Sequence, residues 1–235
     1  MTVDAALTAG FALCLLTGRR RALWWILAAA PLVRETGLLL IAAAVLPALW
    51  KRQFRAAAVL ASAAVPFLLW FVWLNSQLPP PAPDPHAAGV PHWLLPQIRI
   101  GILERLFTLR PYLNLTPASR LAARILDALA ILATIATGLL ALPRIRFGAG
   151  GALRMALILF ASLLLALTDK YFWNTPYGYA RMLGPLFVLL LATPAPRPAW
   201  AGLTAAVAAC LLIDLRIAAE MLFQLRGIIA WLSPL

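Results

Sequence analysis

Acidic side chains, histidine and cysteine are all scarce: eight Asp and Glu stand against twenty Lys and Arg among 235 residues, with two His and two Cys. His86 and His92 fall together in a proline-rich segment, while Cys14 and Cys210 sit inside apolar runs without metal-type spacing. No metal site is implied, and the cysteines read as small hydrophobes. A Gly-rich phosphate loop and a serine elbow are both missing, which removes P-loop nucleotide chemistry and hydrolase-type acyl transfer. No internal repeat is found either, and that weighs against transporters built from paired halves. No cofactor follows from any of this. Charge of either sign is sparse, 12% of residues against 63% hydrophobic, with mean hydropathy +0.89. Soluble domains do not reach that balance.

The expected fold is therefore all-α: a polytopic transmembrane bundle of about eight membrane helices, several of them short, forming one domain over residues 1–235. The net charge of +12 is carried in short Lys/Arg clusters between apolar segments. That pattern sets orientation and meets lipid headgroups; it does not read as a nucleic-acid surface. Asp4 precedes the first apolar run and arginines follow it, an order unlike that of a cleavable signal.

One stretch organises the rest: Val33, Arg34, Glu35, Thr36 and Gly37, inside an apolar run from Ala22 to Trp50. Two ionisable residues in lipid-facing helix would cost about 2.5–3.5 kcal/mol each. As one straight helix the run would be about 44 Å long, against a hydrocarbon core of about 30 Å. Basic clusters flank it on both sides, Arg19 to Arg21 before and Lys51 to Arg55 after. A single crossing would place one cluster outside, against the positive-inside bias. A hairpin follows, with arms Ala22–Leu32 and Thr36–Trp50 and with Arg34 and Glu35 at its tip. The arms are short, so other helices or a wet cavity must cover that tip.

Around it the chain reads as a first helix over Val3–Leu16 and a fourth over Ala56–Leu74. A long outer loop follows over residues 75–117, with an amphipathic interfacial helix at about 94–109. Further helices span Arg120–Leu142, Gly151–Leu167, Met182–Ala192 and Trp200–Ile213, and an interfacial tail closes the chain. Alternation with the basic clusters inside puts Asp4, the Arg34–Glu35 tip, the long loop and the Asp169–Arg181 loop on the outer, periplasmic face of a cell membrane. Cations there (Arg34, Lys170, Arg181) suit a lipid phosphate. Aromatics (Tyr171, Trp173, Tyr179) beside carboxylates suit a sugar. Glu35, Asp169 and Asp4 are the candidate catalytic carboxylates. The plainer readings are an aromatic anchoring belt, an Arg34–Glu35 pair, and Asp4 as a solvated terminus.

A helix ending in Arg34-Glu35-Thr36-Gly37, a returning Leu-rich helix, and Tyr179-Ala180-Arg181-Met182-Leu183-Gly184-Pro185-Leu186 together resemble the membrane glycosyltransferases of the GT-C superfamily. The resemblance implies a polyprenyl-phosphate-linked sugar donor, transfer on the outer leaflet, and a place in cell-surface glycopolymer assembly. It also implies that Arg34, Glu35 and Arg181 line the donor pocket, and that Asp4 matches an acidic position opening a mid-chain helix. Relative to that pattern the chain begins several helices in, without the outer loop that usually carries the catalytic carboxylate. The rival reading is a transporter of lipid-linked sugars, or a non-catalytic subunit beside a partner membrane subunit.

Overall fold

The computed structural model describes residues 2–78, 117–147, 151–166, 176–193, 204, 207–215, 218 and 221. Among them there is no strand. Eight helices are α1 (Thr2–Thr17), α2 (Arg20–Val33), α3 (Gly37–Trp50), α4 (Phe54–Ala61), α5 (Val65–Gln77), α6 (Pro117–Phe147), α7 (Gly151–Ala166) and α8 (Pro176–Ala192). Residues 207–215 are helical as well. The expected interfacial helix at 94–109 lies outside the described residues.

Five helices close a ring: α1 packs on α2, α2 on α3, α3 on α7, α7 on α8, and α8 returns to α1. The α3–α7 seam is the most extensive. Phe11, Leu27, Leu40, Leu157, Phe160 and Leu190 fill the centre. Side chains three and four apart face inward, as on α3, where Gly37, Leu40, Ile41, Ala44 and Ala48 are all buried. Ala44 and Ala48 are the small residues, four apart, that let helix backbones approach without large side chains between them.

The outward faces are as apolar as the inward ones. Leu13, Leu16, Trp25, Leu46 and Trp50 are exposed, and no residue of α5 is buried although its sequence is VPFLLWFVWLNSQ. The buried polar side chains include Thr8, Thr134, Thr137 and Thr193, whose hydroxyls donate to carbonyls four residues back in their own helices at 2.6–2.9 Å. Among the described residues one continuous helical segment, Phe54–Gln77, is long and apolar enough to cross a membrane. Helices at Val3–Thr17, Gly37–Trp50, Ala128–Leu139 and Gly151–Leu163 are apolar but shorter.

Phe54–Gln77 is not a uniform helix. Pro66 has no N–H for the Ser62 carbonyl, so Val65 donates to it instead and residues Ser62–Ala64 tighten to a 3-10 turn. The Ser62 hydroxyl donates to the Val59 carbonyl at 2.7 Å and accepts from Trp24 Nε1 at 3.1 Å, tying this helix to α2. Another difference from the sequence reading is at Tyr177–Arg181, expected in a loop, which forms the start of α8. Pro176 opens that helix, where its missing N–H leaves no helical bond unmade.

Two turns shape the hairpin. After α3, Gln53 N–H bonds to the Ala48 carbonyl at 2.9 Å and Arg52 N–H to Leu49 at 2.8 Å, with Arg52 at φ 57°. This is a Schellman end in which Arg occupies the left-handed position that glycine normally takes, at a steric cost of about 1–2 kcal/mol. At the tip, α2 stops at Val33 because Arg34 is extended, at φ −162° and ψ 138°. Gly37 N–H then returns to the Arg34 carbonyl at 2.8 Å. A Cβ on Gly37 would lie 2.3 Å from the Ala30 carbonyl carbon and 2.5 Å from Pro31 N. Those are backbone atoms, so no rotamer change relieves the clash. Gly37→Ala is expected to lower stability by about 1–3 kcal/mol or more, read as a fall in thermal midpoint in detergent. A wild-type midpoint would show that the arms are not in backbone contact.

Candidate functional site

The hairpin tip is a polar site built from two helix ends. α2 delivers Arg34 immediately past its last turn, and α3 begins directly after Thr36. The Arg34 side chain is 7% exposed, and its Nη1 lies 3.6 Å from Oδ2 of Asp4, itself 12% exposed. Asp4 comes from the first turn of α1, on the face that also carries Thr8 and Phe11 at four and seven residues further on. The Thr8 hydroxyl donates to the Asp4 carbonyl at 2.9 Å. At 3.6 Å the ion pair is longer than a charge-assisted hydrogen bond, which runs to about 2.7–2.9 Å. The attraction still matters, because neither group has full access to water.

Thr36 adds a second feature. It is 6% exposed, and its Oγ1 has no hydrogen-bond partner. A buried hydroxyl left unsatisfied costs about 1–3 kcal/mol. The tip thus places a buried guanidinium and an unsatisfied hydroxyl two residues apart.

The sequence-predicted residues divide into three groups. Arg34 and Asp4 are brought together; the Arg34–Glu35 pair is replaced by Arg34–Asp4, since Glu35 is exposed and points away from the core. Asp4 is therefore an interior partner of the hairpin and not a solvated terminus. Tyr179 and Arg181 lie on α8, which packs on α1, but their side chains fall outside what is described. Asp169, Lys170, Tyr171 and Trp173 lie wholly outside the described residues.

Sequence reasoning missed Thr36 and the partner choice of Asp4. The signal for the second was available: Asp4 continues the inward stripe of Thr8, Phe11 and Cys14. A cavity of about 1100 Å³ was missed as well, and it lies at the far end of the hairpin among Arg20, Trp24, Ala48, Lys51, Arg52 and Arg55. α2 and α3 are 14 residues each, so that end stands about 21 Å from the tip.

Arg34→Gln and Asp4→Asn should each lower stability by about 3 kcal/mol, because each takes the opposite charge of this pair away from a largely buried group. The double variant should lose less than the sum by more than about 1 kcal/mol. Chemical-denaturation or thermal-shift cycles in detergent read this, and strict additivity would show the two groups are uncoupled.

No family model matches this chain, and no similar curated protein or solved structure is found.

Proposed function

We propose that the chain is a multi-pass protein of a cell membrane, with about eight membrane helices, several of them short, and the Arg34–Glu35 tip on the outer face. In this reading the tip engages a polyprenyl-phosphate-linked sugar, as the resemblance to GT-C glycosyltransferases implies. Support for the membrane comes from the exterior: leucines and tryptophans cover the bundle while threonines, Arg34 and Asp4 are inside. An apolar solvent favours that arrangement, because polar groups must then be satisfied within the protein. The observation that carries the site is the unsatisfied Thr36 hydroxyl beside the buried Arg34. A sugar hydroxyl or phosphate oxygen would supply the missing partner.

The roles follow from the chemistry of inverting transfer, which needs a base for the acceptor hydroxyl and a cation for the leaving phosphate. Asp4 is engaged by Arg34, so the base at the tip falls to Glu35, with Asp169 as the other candidate. Arg34, Lys170 and Arg181 would hold the phosphate, and Tyr171, Trp173 and Tyr179 would stack on the sugar. One observation favours the rival reading of a non-catalytic subunit of a glycopolymer assembly: Arg34 already has a carboxylate partner and serves as a strut.

Two experiments test this. With Cys14 and Cys210 replaced by alanine, a cysteine at Glu35 should react with an impermeant maleimide from outside intact cells. A cysteine at Gln53 should react only once the membrane is opened. Labelling of both from one side overturns the crossing.

The second experiment concerns the ligand. Thr36→Val removes the hydroxyl but keeps the shape, so thermal stability should hold or rise. Binding of a radiolabelled polyprenyl-phosphate sugar to purified protein should fall by about tenfold, and Arg34→Gln should lower it further. Wild-type binding by a folded Thr36→Val variant would overturn the donor site and favour the subunit.

A further inference from the structure

The end of the hairpin remote from the tip carries a different chemistry. The cavity there, about 1100 Å³ and open to one side, is walled by Leu23 and Trp24 of α2, Ala44 and Ala48 of α3, and Val59 and Leu60 of α4. Arg20, Lys51, Arg52 and Arg55 stand at its mouth, and Gly151 and Ala152 close the side toward α7. Among the described residues no carboxylate lines it. Among the described residues none of these four cations is paired with an acidic group. Arg20 opens α2, Lys51 and Arg52 lie in the turn after α3 and Arg55 lies on α4; around one cavity these like charges repel one another, and a bound anion offsets that repulsion. The walls exclude a purely hydrophilic anion as the best fit, because they are largely hydrocarbon.

A second observation is conformational. Arg52 occupies the left-handed position of the turn after α3, where glycine would be unstrained, and it is one of the residues lining this cavity. Strain kept at a site-lining residue points to a use for the side chain. The Trp24 indole is also fixed, by its bond to Ser62, so one wall is held in place.

We infer that this cavity binds one anionic phospholipid, its phosphate held by Arg20, Lys51, Arg52 and Arg55 and its chains lying against Leu23, Trp24, Val59 and Leu60. This site is separate from the tip and does not depend on the glycosyltransferase reading. Arginine suits the phosphate through its planar fork, and lysine as a compact charge. Basic pockets between helices that hold lipid headgroups follow the same logic.

Native mass spectrometry of the purified protein titrated with dioleoyl phosphatidylglycerol or dioleoyl phosphatidylcholine tests this. Phosphatidylglycerol should be retained about tenfold more strongly. The double variant Lys51→Gln/Arg55→Gln should lose that preference, while Arg21→Gln, an exposed cation that does not line the cavity, should keep it. Ala56→Trp, at an exposed position on the lining, should weaken retention by filling the space. Arg52→Gly should raise thermal stability and lower retention together, two shifts that a purely structural turn would not combine. Equal retention of the two lipids, or an unchanged double variant, overturns the site. Displacement of the lipid by millimolar inorganic phosphate would assign the cations to a soluble anion and overturn the lipid assignment. All these variants leave the tip intact, so polyprenyl-phosphate sugar binding reports on that other site independently.

Discussion

A guanidinium buried inside a bundle of apolar helices has to be met by an opposite charge, and the position of Arg34 sets much of the rest. Arg34 lies beyond the last turn of α2 because the chain turns back at Gly37, and it turns back tightly because Gly37 presents no side chain to Ala30 and Pro31. The buried cation then fixes the first turn of α1 over the tip, through Asp4. With α1 set by Asp4 and by its packing on α2, α8 can close the ring between α1 and α7. One close backbone contact and one ion pair thus orient four of the five ring helices. Replacing that pair with apolar residues could leave stability nearly unchanged, since desolvation offsets most of the Coulomb gain. Its value lies in which arrangement it selects.

The distribution of apolar surface follows a different rule from that of a water-soluble core. In the lipid setting proposed above, packing between these helices cannot draw on the hydrophobic effect to the usual degree, because lipid tails are as apolar as the outward faces. Close approach of small residues takes over that role, at Gly37, Ala44 and Ala48 on α3 and at Ala28 and Ala30 on α2. Hydrogen bonds between side chains on different helices are correspondingly valuable, and Trp24 to Ser62 is one such bond. It joins α2 to the helix at the 3-10 turn, where that helix has already given up one regular backbone bond. Thr8, Thr134, Thr137 and Thr193 are each satisfied by a carbonyl four residues back, and so they neither create nor block contacts, in contrast to Thr36.

Much of the hairpin was legible in the sequence, for a physical reason. Charges in the middle of an apolar run are so costly that they mark a turn more reliably than any propensity does, and the arms end within two residues of the expected positions. The all-helical character was legible for the same reason of composition. Partner choice was not. Arg34 and Glu35 are adjacent, and adjacency suggests pairing, but an extended Arg34 sends consecutive side chains to opposite faces. Glu35 therefore turns outward, and the carboxylate thirty positions upstream takes its place. The start of α8 was misread because Tyr177, Gly178 and Tyr179 look like a turn, whereas Pro176 ahead of them is a helix-opening signal. The far cavity was hidden because basic clusters were weighed for orientation alone. That Arg20 and Lys51 line one cavity follows only from two arms of equal length.

The two ends of the hairpin divide the charge of this part of the chain. The tip gathers the carboxylates Asp4 and Glu35 with one arginine, while the far end gathers Arg20, Lys51, Arg52 and Arg55 with no carboxylate among the described lining residues. Arg34 and Asp4 balance each other inside the tip while Glu35 is exposed, so in the proposed reading binding there is decided by directed hydrogen bonds such as the one Thr36 has yet to make. The far end is unbalanced, so what it can bind is decided by net charge and apolar contact. Ligands that need orientation for chemistry belong at the first kind of site, and ligands that only need holding belong at the second. α2 and α3 link the two through rigid helix of about 21 Å, with Gly37 at one end and Arg52 at the other. The two turns meet opposite demands: the tip has no room for a side chain at Gly37, whereas the far turn keeps an arginine where glycine would be unstrained, and that arginine lines the cavity.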